Sequence, residues 1–305
     1  MYLATCATCQ SVFQPLVCDD KMLEEWYGYM GPHLSNKTMT PLLRRRLSRL
    51  LRPLERYSLS NQLLEVGCGG GLLARAATEQ GWQVFGTEIS STCCAVLRPL
   101  LGSRLHQGAL QGAPFERKIF DVVVMMELIE HLPDPGGYLI AAQRYLRPGG
   151  CLVLTTPNLK GLTARTWGPR WRVINDEHLN YFDERTIRRL LSDHGYTDVV
   201  VATSGIDVGM YVQEFRQAVV GLYRKRESSD GANESPERKA VADSKGTFMA
   251  AAIDLAMETV NLVLNFLSLG DVLKVRALKP PTGDGNTFRL GGDYIGSRLN
   301  SGVRK

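Results

Sequence analysis

The sequence predicts an α/β protein built on a doubly wound, seven-stranded, mostly parallel sheet. Two observations carry this. Apolar runs of strand length alternate with segments of helical period from about residue 62 to residue 202. The first run, Leu63-Leu64-Glu65-Val66, also stops at Gly67-Cys68-Gly69-Gly70-Gly71 and opens a helix, and the next, Trp82 to Gly86-Thr87-Glu88, ends on an acid. Alternation of this kind buries a parallel sheet on both faces.

Strands are expected at about 62–66, 83–88, 104–107, 120–126 and 151–156, with helices between them. Ahead of them, Thr40-Pro41 supplies an N-cap and a first-turn proline. Leu42, Leu43, Leu47, Leu50, Leu51 and Leu54 follow at helical spacing, and Arg44, Arg45, Arg46, Arg49 and Arg52 occupy the other faces. Asp183 caps a helix that stops at Gly195, and a sixth strand fits Thr197–Ala202. Residues 226–246 read as a loop rich in Ser, Glu, Lys and Gly, residues 247–268 as an amphipathic helix, and Leu273–Ala277 as the last strand. About 70 residues separate the last two strands, so a helical insertion over 206–270 is inferred before the final strand. The expected organisation is an N-terminal segment (1–37), a main domain (38–280) and a flexible tail (281–305).

Glycines between a strand and a helix let backbone approach a nucleotide, and an acid at the next strand end can accept both ribose hydroxyls. The run Gly69, Gly71, Ala74 formally matches a dinucleotide turn, which keeps an NAD-dependent dehydrogenase open. Glu65 argues for a different ligand, since an acid beside the turn repels phosphate and suits a cation. S-adenosylmethionine carries a sulfonium, an ammonium and no phosphate.

At this point the chain resembles the class I S-adenosylmethionine-dependent methyltransferases, over roughly residues 60–205. Glu65-Val66-Gly67-Cys68-Gly69-Gly70-Gly71 is similar to the first motif of that superfamily, and Glu88 stands at its ribose-binding acid. Gly108-Ala109-Leu110 matches the adenine-framing segment, with Ala109 where many members carry Asp. Phe120–Glu127 and Leu146-Arg147-Pro148-Gly149-Gly150-Cys151 resemble the fourth strand and the turn into the fifth. The resemblance implies a Rossmann-like sheet with an antiparallel last strand. It also implies a cofactor site at Glu65, Gly67, Cys68, Gly69, Gly71, Glu88, Ile89, Gly108, Ala109, Leu110 and Met126.

The acceptor is expected past the fourth strand, at Glu127-Leu128-Ile129-Glu130-His131-Leu132-Pro133-Asp134-Pro135. His131 is the candidate general base, because imidazole titrates near neutrality, and Glu130 either orients it or takes the proton. Placed on a helical turn, Glu127, Glu130 and His131 share one face, and with His178 they form a candidate site for Mg or another divalent cation. The run resembles both ubiquinone-biosynthesis O-methyltransferases and small-RNA 2′-O-methyltransferases. The reading is therefore O-methylation of a small molecule, with a metal-assisted RNA 2′-O-methyltransferase as the alternative. Trp167 and Trp171, with Arg165, Arg170 and Arg172, are candidates for an anionic or aromatic acceptor, and Trp26, Tyr27 and Tyr29 for a lid.

Cys6-Ala7-Thr8-Cys9 is half of a zinc-knuckle pattern, weighed against two reduced cysteines in a frayed segment. The net charge of +5 permits a nucleic-acid partner without favouring one, and the basic helix allows peripheral membrane contact. No signal peptide or transmembrane segment is expected, and seven cysteines without framework spacing suggest a cytoplasmic setting.

Overall fold

In the computed structural model the chain is described over residues 2–15, 29, 31–36, 38–206 and 260–281. The expectations for residues 226–246, for 247–259, for the tail beyond 281, and for Trp26 and Tyr27 lie outside these. The chain divides into two compact units. The first holds residues 1–157, 175–201 and 274–305; the second holds 158–174 and 202–273.

The first unit opens with strands β1 (Ala4–Thr5) and β2 (Val12–Phe13), followed by helix α1 (Pro41–Leu51). The winding proper runs β3 (Gln62–Val66), α2 (Leu72–Glu79), β4 (Gln83–Glu88), α3 (Ser91–Leu101), β5 (Leu105–Gln107), β6 (Phe120–Met126), α4 (Pro135–Tyr145) and β7 (Leu146–Pro157). In the second unit, α5 spans Leu162–Trp167. Strand β8 (Asn180–Tyr181), helix α6 (Glu184–Asp193), strand β9 (Thr197–Ser204) and strand β10 (Val272–Leu278) follow, with residues 260–266 helical ahead of β10.

The main sheet has the order β5-β4-β3-β6-β7-β10-β9. The pairs β3–β4, β3–β6, β4–β5 and β6–β7 are parallel. β10 is antiparallel to β7: Lys279 pairs with Gly149 and Gly150 at one end, and Asp271 with Asn158 at the other. The seven strands fall where the sequence placed them. β7 starts earlier than expected: Leu146 already pairs with Phe120, and the register then shifts, so Arg147–Gly150 bulge before Cys151 pairs with Val122. Strand interiors such as Leu63-Leu64 and Val122–Met125 are fully buried, as a sheet covered on both faces requires.

Helix α1 is capped by Thr40, whose hydroxyl accepts from Leu43 N, and Pro41 stands in its first turn. Its Leu47 and Leu51, with Leu54, are buried in the core with Leu73, Trp82 and Leu97, while Arg44 pairs with Glu79. Leu47, Leu51 and Leu54 are therefore core, while Leu42 is exposed. Asp183 and Thr186 form a capping box at the start of α6. The interior anchor of the sheet is Asp121, which accepts from the N–H groups of Leu59, Ser60 and Gln62 and from Arg147 Nε at 2.6 Å.

One element was not legible. β1, β2 and β8 form a second, three-stranded antiparallel sheet, with Val12 opposite Tyr181 and Phe13 opposite Asn180. Cys6 and Cys9 thus sit in an ordered hairpin and not in a frayed segment. Strands of two residues carry too little alternation to be read from a pattern.

Within the second unit, Thr163 N donates to Asp271 Oδ1 at 2.8 Å and Asn158 Nδ2 to Gly270 O at 2.7 Å. Trp171 is buried and the Arg170 guanidinium lies 5.5 Å from the Trp167 ring. Among the described residues no helix is long and apolar enough to cross a membrane.

Candidate active site

The C-terminal end of β3 delivers Glu65 and Val66 to a loop that only glycine follows without strain. Gly67, Gly69 and Gly71 have φ of +73°, +49° and +76°. Gly67 N donates to Thr87 O at 2.8 Å, tying the loop to β4. A Cβ on Gly67 would meet Leu128 at 3.0 Å, and one on Gly70 would collide with the Leu34 carbonyl oxygen. Glu88 closes the arrangement: one carboxylate oxygen accepts from Gly69 N at 2.7 Å and the other from Ser90 N at 2.8 Å. Burial raises its pKa, and those N–H groups partly offset the rise. Burial, and then the Glu88 charge, push Glu65 well above the usual carboxylate range. Glu65 Oε2 has no hydrogen-bond partner within the protein. A buried acid with an open oxygen suits a ligand ammonium, so the residues present fit S-adenosylmethionine.

A cavity of about 330 Å³ lies over this loop. Of the residues expected to bind the cofactor, Glu65, Gly67, Cys68, Gly69, Glu88, Ile89, Gly108, Ala109, Leu110 and Met126 line it. Gly71 does not; it is the left-handed N-cap of α2, and a Cβ there would strike Leu97. Leu34, Leu43, Leu47, Tyr138 and Glu177 also line the cavity and were missed. Their leucines and tyrosine carry no motif. The one available signal was the apolar face of α1, which could as well have been core alone.

The acceptor end follows β6. Glu127 adopts φ +47°, a left-handed conformation that a non-glycine residue holds only when its surroundings impose it. Its N–H donates to Thr155 O at 3.1 Å. A 3₁₀ turn, Ile129–His131, comes next. The expected helical face of Glu127, Glu130 and His131 is therefore broken, because residue 127 is not helical. Glu130, His131 and His178 do converge, with one ligand atom from each within 4.8 Å of the others; Glu127 stands outside that set. Glu127 and His131 line the cavity and Glu130 and His178 do not; Glu130 Oε1 lies 3.9 Å from His131 Nε2.

Glu130 is 1% exposed, and neither carboxylate oxygen has a hydrogen-bond partner. Burial, then the charge of Glu127, raises its pKa well above the carboxylate range. His131 Nδ1 lies 2.9 Å from the Glu177 carbonyl oxygen. The ring centroids of His131 and His178 are 4.6 Å apart. Burial, then His178, lowers the His131 pKa to about 4, against a smaller opposing effect of the Glu177 carbonyl. The near-neutral value expected from sequence is thus corrected: the ring is uncharged at pH 7.

Comparison with known proteins covers the region that holds the glycine loop and β4. A family model described as a methyltransferase domain matches residues 36–201. The ubiquinone biosynthesis O-methyltransferase of Pasteurella multocida is 31% identical over 163 residues, covering 48% of this chain and 64% of that protein. The protein of that name from Pseudomonas paraeruginosa is 36% identical over 117 residues, covering 34% and 48%. This chain thus spans less than two thirds of the length of either relative. Among solved structures, a SAM-dependent methyltransferase from Archaeoglobus fulgidus superposes with a TM-score of 0.50 at 16% identity, covering 83% of this chain and 100% of that one. The [4+2]-cyclase SpnF superposes with a TM-score of 0.52 at 17% identity, covering 88% and 98%. The last two share a fold and carry different names for what they do, so fold alone does not fix the reaction. The family match spans more than half of the sequence, and the chain belongs to the class I S-adenosylmethionine-dependent methyltransferases.

Proposed function

We propose that this protein transfers a methyl group to a hydroxyl oxygen of a small molecule, a ring hydroxyl of the kind implied by its relatives in ubiquinone biosynthesis. The observation that carries the reading is His131. It is a neutral imidazole in the cavity that holds Glu65 and Glu88, with its Nδ1 proton committed to a carbonyl. S-adenosylmethionine, when bound, supplies an electrophilic methyl on a good leaving group. Glu88 would accept the ribose hydroxyls, and Glu65 would hold the ammonium. Ala109 offers only backbone to adenine. His131 Nε2 removes the acceptor proton as the oxygen attacks. Leu34, Leu43 and Leu47 exclude water and fix the approach.

The test is methyl-labelled cofactor with a panel of phenols and catechols of graded tail length. Label on oxygen supports the reading; transfer only to nitrogen or carbon acceptors overturns it. Binding of NADH without binding of S-adenosylmethionine would instead favour the dehydrogenase alternative.

A second reading adds a divalent cation, favoured by the two open oxygens of Glu130 beside His131 and His178. Those three residues would hold it, and it would acidify a bound hydroxyl. Activity lost in EDTA and restored by Mg or Mn supports this; activity indifferent to EDTA excludes it. RNA as acceptor is the less favoured form, and salt-steep RNA binding would support it. The reading carries a cytoplasmic setting, consistent with free thiols at Cys6, Cys9, Cys68, Cys93, Cys94 and Cys151. It also carries contact of the α1 arginines with an anionic membrane when the acceptor has a lipid tail.

A further inference from the structure

The hairpin β1–β2 carries two thiols for which methyl transfer has no use. Its turn is closed by Cys6 N donating to Ser11 O and Gln10 N donating to Cys6 O, both at 2.9 Å. Gln10, immediately after the second cysteine, has φ +63°, in the left-handed region. That residue turns the chain back and leaves two thiols three residues apart on one loop. Cys9 Sγ lies 3.2 Å from Ser11 Oγ. Both cysteines are partly exposed, whereas Cys68, Cys93, Cys94 and Cys151 are buried. Among the described residues, the thiols at an accessible surface are therefore the pair on this turn.

We infer that Cys6 and Cys9 form a two-thiolate site for a thiophilic divalent cation, Zn²⁺ in the first instance. Binding exchanges two S–H bonds for two Zn–S bonds and releases two protons. A tetrahedral ion needs two more ligands, and among the described residues no His, Cys, Asp or Glu joins this pair. Water, or the same two thiolates of a second copy of this chain, completes the ion. The hairpin is not isolated. β2 pairs with β8, Gln14 N donates to Leu179 O at 2.9 Å, and an Arg189 guanidinium nitrogen donates to Thr8 O at 3.1 Å. An ion on the turn therefore braces the strand that begins two residues after His178. That last step rests on the proposed reaction; the metal site does not.

The test uses the full chain, reduced and stripped of metal, titrated with Co²⁺ as a spectroscopic stand-in. The expected result is a near-ultraviolet thiolate-to-metal charge-transfer band that Zn²⁺ displaces. The band is absent from the Cys6→Ser/Cys9→Ser variant and retained in His178→Ala. A ratio of one metal per chain identifies water as the completing ligand, and one per two chains identifies a shared ion. Zn²⁺ should also protect Cys6 and Cys9 of the unmodified chain from alkylation, read by mass spectrometry, which needs no variant to fold. No charge-transfer band in the unmodified chain, an undiminished band in the double-serine variant, or equal alkylation with and without Zn²⁺ overturns the site. Loss of methyl transfer with the metal site intact would count against the reaction and leave this inference standing.

Discussion

His131 Nδ1 and the carbonyl oxygen of Glu177 lie 2.9 Å apart, across 46 residues of sequence. A carbonyl only accepts, so Nδ1 carries the ring proton and Nε2 keeps its lone pair. The base is thereby specified as a tautomer. With the ring neutral at pH 7, no proton must leave His131 before it can accept one.

Replacing His131 by Gln should lower kcat by about 100- to 10,000-fold, the usual contribution of a positioned base. Cofactor affinity should change little, because the contacts of the glycine loop are untouched. Single-turnover kinetics with labelled cofactor, together with calorimetry of cofactor binding, separate the two effects. Comparable losses in both would mean that His131 shapes the cavity and does not move the proton.

Glu88→Ala should weaken S-adenosylmethionine binding by about 10- to 100-fold, the scale of hydrogen bonds to a charged acceptor. It also leaves the N–H groups of Gly69 and Ser90 without their acceptor, so the loop loosens. Titration calorimetry measures the change. An unaltered dissociation constant would remove Glu88 from the ribose site.

Gly69→Ala and Gly70→Ala should differ in kind. Nothing lies within 4 Å of a Cβ on Gly69, so the cost there is the left-handed backbone, about 1–2 kcal/mol. At Gly70 the cost is a collision with the Leu34 carbonyl, and the helical segment 31–35 must move away. Limited proteolysis should cut near residues 31–36 faster in Gly70→Ala than in Gly69→Ala. Equal cleavage would show that the contact is not held in solution.

Asp121 sets a pH limit on stability. Burial pushes its pKa up, but Arg147 and the N–H groups of Ser60, Leu59 and Gln62 outweigh this and hold it below the usual value. The stabilisation is therefore complete above the unfolded value of about 3.9 and is lost as pH falls through the lower folded value. Arg147→Met, which leaves a buried carboxylate without its cation, should cost about 3 kcal/mol at pH 7. Denaturant unfolding from pH 7 down to pH 2 should show the difference between the two proteins shrinking as Asp121 protonates. A constant difference would assign the loss to packing of the arginine stem.

The strands, the glycine turn and the acid ending β4 were legible because each is a local signal: an apolar run, a run of glycines, an acid at a strand end. The acceptor side was only half legible. Glu130, His131 and His178 could be named, but the left-handed Glu127 and the carbonyl that fixes the His131 tautomer are products of packing. Leu43 and Leu47 serve core and cavity at once, and a helical apolar stripe says only that something covers it. The hairpin partner of β8 is a pairing between distant residues, for which one sequence holds no signal.

That pairing has a consequence for biosynthesis. Gln14 Nε2 meets Tyr181 Oη across 167 residues of chain. At roughly 5–20 residues per second on the ribosome, β2 waits roughly 10–30 s before the strand it pairs with exists. Joining segments so distant is slow besides, since loop closure precedes any contact that rewards it. The wall carrying Glu177 and His178 is thus the last part of the cavity to set. A nascent chain will hold its glycine loop before it holds its base in place.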